Sequence, residues 1–98
     1  MTTVVTILGV HAYVAEGFFP RLLGLMFRRD LQAGEGLLIT RCNAIHTCFM
    51  RFPIDVAFLD RDGAVVRIVR NVRPWRLFVF GGRNACQVLE VRAGTAAF

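Results

Sequence analysis

The sequence predicts a mainly β domain, a compact antiparallel β-sandwich or barrel with one short helix. Three observations lead there. Apolar, β-branched runs recur at roughly ten-residue spacing with turn residues between them. One stretch alone, Gly17–Leu31, has apolar residues grouped on a helical side rather than alternating. The 98 residues suffice for one core and not for two.

The elements follow in order. Val4–Leu8 is β-branched and apolar and reads as a buried strand, with His11–Ala15 its continuation or hairpin partner. Pro20 suits a first helical turn, and Leu22, Leu23, Leu25 and Met26 then fall largely on one side. Asp30 and Gly34 bracket the end, so the helix covers about 20–29. A turn at Ala33–Gly36 leads into a strand, Gly36–Arg41, and Asn43–Phe52 alternates well enough for another. Pro53 interrupts the run before a further strand, Ile54–Asp60. Asp60–Gly63 is a hairpin turn in which Gly63 supplies positive φ, and Ala64–Val72 returns antiparallel. Asn71–Arg76 is a loop around Pro74, Leu77–Phe80 a short strand, Gly81–Gly82 a turn and Cys86–Val91 the last strand.

Composition bounds the function. Hydrophobic residues are 55% and charged residues 19% of the chain, against roughly 45–50% and about 25% in average domains. A small chain has little interior for that excess, which predicts a homodimer or a protein partner. All twelve basic residues are arginine, the net charge is +5 and the pI about 10.5. Codon usage that favours arginine explains this; so does an anion-binding face of guanidinium forks, and charge alone does not choose. Three cysteines are an odd number, against a disulfide framework. The first residues lack a basic leader region, and no segment approaches the ~20 apolar residues that span a bilayer. A reducing, cytoplasmic setting is expected, and no cofactor motif is present.

The blocks "GLMFRRDLQAGEGLLI", "HTCFMRFPIDVAFLDRDGAVV", "PW" and "VLEVRAG" resemble the domain-of-unknown-function family 192, in order, from about Phe19 to Ala97. The most specific parts are Gly24–Met26, Gly34–Gly36, Phe49–Arg51 with Pro53 and Asp55, and Asp60–Gly63. The resemblance implies a small, mainly β fold with one short helix. It implies no activity, because none is established for the family. Leu23 stands where members usually carry a basic residue. Members also usually continue beyond this C-terminal segment into another short strand, so the family pattern is shortened at Phe98. The expectation is a sheet edge left open or completed by another chain, which adds to the case for self-association.

On a strand, residues i and i+2 share a face. His46, Cys48 and Met50 would line one face, with Thr47, Phe49 and Arg51 on the other. A metal reading takes Cys42, His46 and Cys48, with Met50, as a soft set for zinc or Cu(I). The spacing C-x3-H-x-C matches no strong zinc signature, and cysteine and methionine are ordinary core fillers. A catalytic reading takes Cys48 or Thr47 as nucleophile, His46 as base and Asp55 as its orienter. An extended strand would put His46 and Cys48 about 6.5 Å apart, too far for that contact. Asp55 lies between Ile54 and Val56, where a buried carboxylate must be paired; Arg51 and His46 are near in sequence, and Arg67 or Arg70 could reach from another strand. Arg70, Arg73 and Arg76 surround Trp75 on the Pro74 loop, a pattern that grips phosphate or carboxylate while stacking on a flat group. The alternative is that Trp75 caps the core. Gly34 and Gly36 read as a turn rather than a phosphate cradle.

The sequence therefore points to a small non-enzymatic domain that binds an anionic ligand or protein partner. Its face would combine His46, Thr47, Arg51 and Asp55 with Arg70, Arg73, Trp75 and Arg76. Nucleic acid is a sub-case, with one loop interleaving basic and aromatic residues and no recognition helix. The other class is a metal- or thiol-dependent enzyme using Cys42, His46 and Cys48.

Overall fold

A computed structural model describes residues 3–15 and 31–98. Among the described residues eight strands form two sheets: β1 Val4–Ile7, β2 Val10–Ala15, β3 Glu35–Thr40, β4 Ala44–Ile45, β5 Ile54–Leu59, β6 Val65–Val72, β7 Val79–Phe80 and β8 Gln87–Arg92. The larger sheet has the order β1-β2-β3-β8-β5-β6, and β4 pairs with β7 in the smaller one. The mainly β expectation holds. The helix expected at 20–29 lies outside the described residues.

Local chemistry fixes the two best-defined hairpins. Leu8 and Gly9, at φ 52° and 76°, turn β1 into β2 with Ile7 opposite Val10. Two consecutive positive φ values match the twist of the flanking strands. Between β5 and β6, Asp60 Oδ1 accepts the backbone N–H groups of Asp62 and Ala64, each at 2.9 Å, and Gly63 takes φ 85°. This is the expected Asp60–Gly63 turn, made by a carboxylate that mimics a backbone acceptor.

One correction concerns strand direction. β2 and β3 run parallel, with His11 opposite Glu35 and Ala15 opposite Ile39, so the sheet is mixed. A parallel neighbour needs a crossover of about a dozen residues or more, and the chain between Ala15 and Glu35 is long enough. β8 then pairs antiparallel with both β3 and β5.

β5 is buried along its whole length, which explains why "IDVAFL" is nearly continuous in apolar residues. Its alternate sides serve two clusters of buried residues, one on each face of the larger sheet of the single domain. Ile54, Val56 and Phe58 join Leu37, Ile39, Val88, Met50, Phe52 and Val79 on the face covered by the smaller sheet. Ala57 and Leu59 join Val10, Ala12, Leu38, Leu89 and Val91 on the other. Gly81 lies so close to Phe58 that a Cβ there would sit 2.2 Å from its ring. The backbone approaches the core at a point where no side chain fits.

Two further boundaries depart from expectation. The segment expected to be a strand at 43–52 is one only at Ala44–Ile45. β4 pairs with β7, while β5 pairs with β6 and β8. The chain turns at 48–49 instead, where Phe49 takes φ 64°. β6 runs to Val72 as the expected strand Ala64–Val72 does, and only Val79–Phe80 of the expected strand Leu77–Phe80 is paired.

Candidate functional site

Thr47 organises the segment after β4. It is fully buried, yet it has left the strand pattern because its hydrogen bonds go to the loop after β6. Its N–H donates to Arg76 O at 2.9 Å, and its carbonyl accepts the N–H of Trp75 at 2.9 Å and of Met50 at 3.2 Å. Its hydroxyl donates to Arg73 O at 2.6 Å and accepts the N–H of Arg76 at 2.8 Å. Four bonds thus cross between the two loops at this one residue. A threonine in a strand would spend its backbone groups on a ladder; here the hydroxyl supplies an alternative.

The staple sets two aromatic residues side by side. Phe49 and Trp75 have ring centroids 4.6 Å apart, tilted by 58°, and are 45% and 59% exposed. Trp75 therefore does not cap the core. Its φ is 70° and that of Phe49 is 64°, a backbone region bulky residues rarely enter. Arg51, Arg73 and Arg76 are exposed on the same two loops. Beyond them, Leu77 and Phe78 are 80% and 65% exposed, and the Phe78 and Phe80 rings stack at 6.0 Å.

Of the residues expected at the site, the structure brings together His46, Thr47, Arg73, Trp75 and Arg76, with Arg51 on the adjoining loop. His46 is half-buried, and its Nδ1 lies 3.2 Å from the N–H of Cys48 as acceptor. Asp55 and Arg70 are placed elsewhere. Asp55 is 3% exposed, with its carboxylate oxygens accepting the N–H of Asn71 at 2.8 Å and of Gly94 at 3.0 Å. A bulge lets this happen: Ile54 faces Val72 but Val56 faces Val69, so two β6 residues oppose Asp55, and Asn71 has φ 53°. Arg70 Nη1 stands 3.6 Å from Asp55 Oδ2, and the same guanidinium donates to Phe98 O and lies over the Phe98 ring. Asp55 is thus a structural acceptor that ties β5, β6 and the turn after β8 together. Asp55→Asn replaces one acceptor oxygen by a donor facing an N–H. It should cost about 1–3 kcal/mol in denaturant unfolding; an unchanged midpoint would remove the structural role.

The catalytic and metal constellations are not assembled. Asp55 is occupied away from His46, and the Thr47 hydroxyl is held by two backbone partners. The Cys48 thiol faces Arg76 O at 4.0 Å, and the Cys42 thiol donates to Ala44 O at 2.9 Å. Among the described residues no group of three or more His, Cys, Asp and Glu stands where it could hold a metal ion. Cys42 instead neighbours Cys86, whose carbonyl accepts its N–H at 2.9 Å. An open depression of about 410 Å³ lies there, lined by Arg41, Cys42, Asn43 and Cys86.

Sequence reasoning passes over four residues. Phe49 is hidden by the false strand, and Leu77 and Phe78 by the expectation of another. Glu90 is the fourth. It sits in mid-β8 between Leu37 and Val56, is 2% exposed, and its Oε1 has no hydrogen-bond partner. Burial pushes its carboxyl up to about 8, so it is protonated at neutral pH. An acid inside the apolar run "VLEV" is the signal that would have found it.

These features define a small two-sheet β domain with a stapled pair of aromatic and arginine-bearing loops at one end. The chain belongs to the DUF192 family of uncharacterized ACR proteins, whose model matches residues 3–98. It is 43% identical over 97 residues to a UPF0127 protein of Pyrococcus furiosus, covering 87% of this chain and 83% of that one. A UPF0127 protein of Pyrococcus horikoshii is 42% identical over 69 residues, covering 67% of this chain and 59% of its own length. The chain thus spans less than two thirds of that relative. Among solved structures, a protein of unknown function from Novosphingobium aromaticivorans superimposes with TM-score 0.80 at 25% identity, over 95% of this chain and 72% of that one. A Sinorhizobium meliloti protein described as a "putative transcription regulator" gives 0.79 at 27% identity, over 96% and 80%. Family membership fixes no activity.

Proposed function

We propose that this domain is a non-enzymatic binding module that takes an anionic partner on the surface of residues 46–51 and 73–78. One observation carries the reading: Phe49 and Trp75 are both held at positive φ, exposed and against each other, among three exposed arginines. Such backbone costs on the order of 1–3 kcal/mol per residue and persists only where the surroundings impose it. Neither ring gains full burial in return, so the core is not the beneficiary. A guanidinium beside an aromatic face grips a phosphate or carboxylate and stacks on what carries it.

The chain has one tryptophan, so its fluorescence reports directly on this surface. Titration with heparin at low salt should quench or shift Trp75 emission, with affinity falling as salt rises. Arg73→Gln/Arg76→Gln should weaken binding at least about tenfold, the loss of two charge-assisted contacts. An unresponsive Trp75, or an affinity indifferent to salt, would end the proposal. Single-stranded nucleic acid is the second probe, since arginine with stacking aromatics also suits it.

A further inference from the structure

We infer that the anionic partner of this surface is a lipid bilayer, on which the segment Trp75–Phe78 seats its apolar side chains while the neighbouring arginines meet the headgroups. The inference rests on the binding surface proposed above and names its partner.

Ten large hydrophobic residues are exposed among the described residues, and five of them, Phe49, Trp75, Leu77, Phe78 and Phe80, lie on or beside the two stapled loops. Phe49 packs against Trp75 and Phe78 stacks on Phe80, and such grouping marks an interaction surface. The most exposed are consecutive or nearly so: Trp75 at 59%, Leu77 at 80% and Phe78 at 65%. The segment is held at both ends, by Val72 at 2% exposure and Val79 at 4%, and in the middle by the Thr47 bonds to Arg73, Trp75 and Arg76. A short, firmly anchored projection therefore carries its apolar groups outward.

Charge narrows the occupant. Arg73 and Arg76 flank Trp75, Arg51 is exposed on the facing loop, and no acidic residue lies between Asp62 and Glu90 in the sequence. A second copy of the chain would set this surface against itself, arginine toward arginine, in a two-fold interface. A nucleic-acid strand would stack on Trp75 and Phe49 but has no use for Leu77, the most exposed of all. An anionic bilayer uses every part. Leucine and phenylalanine enter the acyl boundary, tryptophan lies at the interface, and arginines snorkel to phosphates.

The test is co-sedimentation of the full chain with vesicles of phosphatidylcholine alone or with phosphatidylglycerol, alongside heparin. Binding to the phosphatidylglycerol vesicles is expected, with a blue shift of Trp75 and quenching by brominated acyl chains. Leu77→Ser/Phe78→Ser, with unchanged circular dichroism, should lower partitioning at least about tenfold. Heparin binding without vesicle binding overturns the bilayer and leaves the anionic surface standing. Loss of both overturns both. Vesicle binding in which brominated lipids leave Trp75 unquenched, or a dimer that shields Trp75 without lipid, also overturns the bilayer.

Discussion

Raising the pH from about 5 to 8 should destabilise the domain through Glu90 by on the order of 1.4 kcal/mol for each pH unit, and Glu90→Gln should abolish that slope. The carboxyl ionises at about 8 in the folded chain against 4.5 in the open, because burial disfavours its charge. The folded state therefore holds the proton more tightly than the unfolded state does. Its contribution is complete below about 4.5 and is lost as pH climbs toward about 8. Leu37 and Val56 flank Glu90 across the sheet, and Oε1 has no hydrogen-bond partner among the described residues. Urea unfolding of both proteins across this range isolates the effect as a difference, free of the other titrating groups. Glu90→Leu should in addition be more stable than the wild type above about pH 7, because it removes a buried polar atom without a bond. Parallel curves for wild type and Gln variant would show that Glu90 is solvated or paired after all.

Thr47→Val should cost about 2–4 kcal/mol and release the loop after β6. Valine keeps the volume but removes the donor to Arg73 O and the acceptor for Arg76 N–H, which leaves two backbone groups without partners in a closely packed spot. Thr47→Ser keeps the hydroxyl and should lose far less. Amide hydrogen exchange at Arg76 should speed up in the Val variant, and heparin affinity should fall even though no arginine or aromatic ring has been touched. A Val variant with wild-type stability and an unchanged Trp75 spectrum would mean that the loops are held by something other than this residue.

How much of this was legible depended on whether the signal was local. The β5–β6 hairpin was readable because "IDVAFL" is buried on both faces and the Asp60–Gly63 turn makes its own hydrogen bonds. Asp55 announced itself as an acid in an apolar run, and its pairing with Arg70 from another strand was among the expected ones. The parallel β2–β3 pair was not readable, since its register is set by chain segments far apart in sequence. The 43–52 segment misled for a sharper reason. Its apolar residues alternate as a strand's do, but Thr47 prefers a distant loop to a neighbouring strand, and alternation says nothing about hydrogen-bond partners. The arginine and tryptophan loop was visible from composition, whereas its partner Phe49 became visible only once the false strand was gone. Leu77 and Phe78 show the same limit: an apolar run reads as a strand until the pairing stops at Val79.

The free protein in dilute buffer offers the most direct check. If the two tethered loops present their indole to water, the emission of Trp75 lies at the long wavelength of a solvated ring, and acrylamide quenches it readily at concentrations where the chain is monomeric. Short-wavelength emission that resists acrylamide in the monomer would place the indole inside the packed domain and leave the arginines without the platform assigned to them.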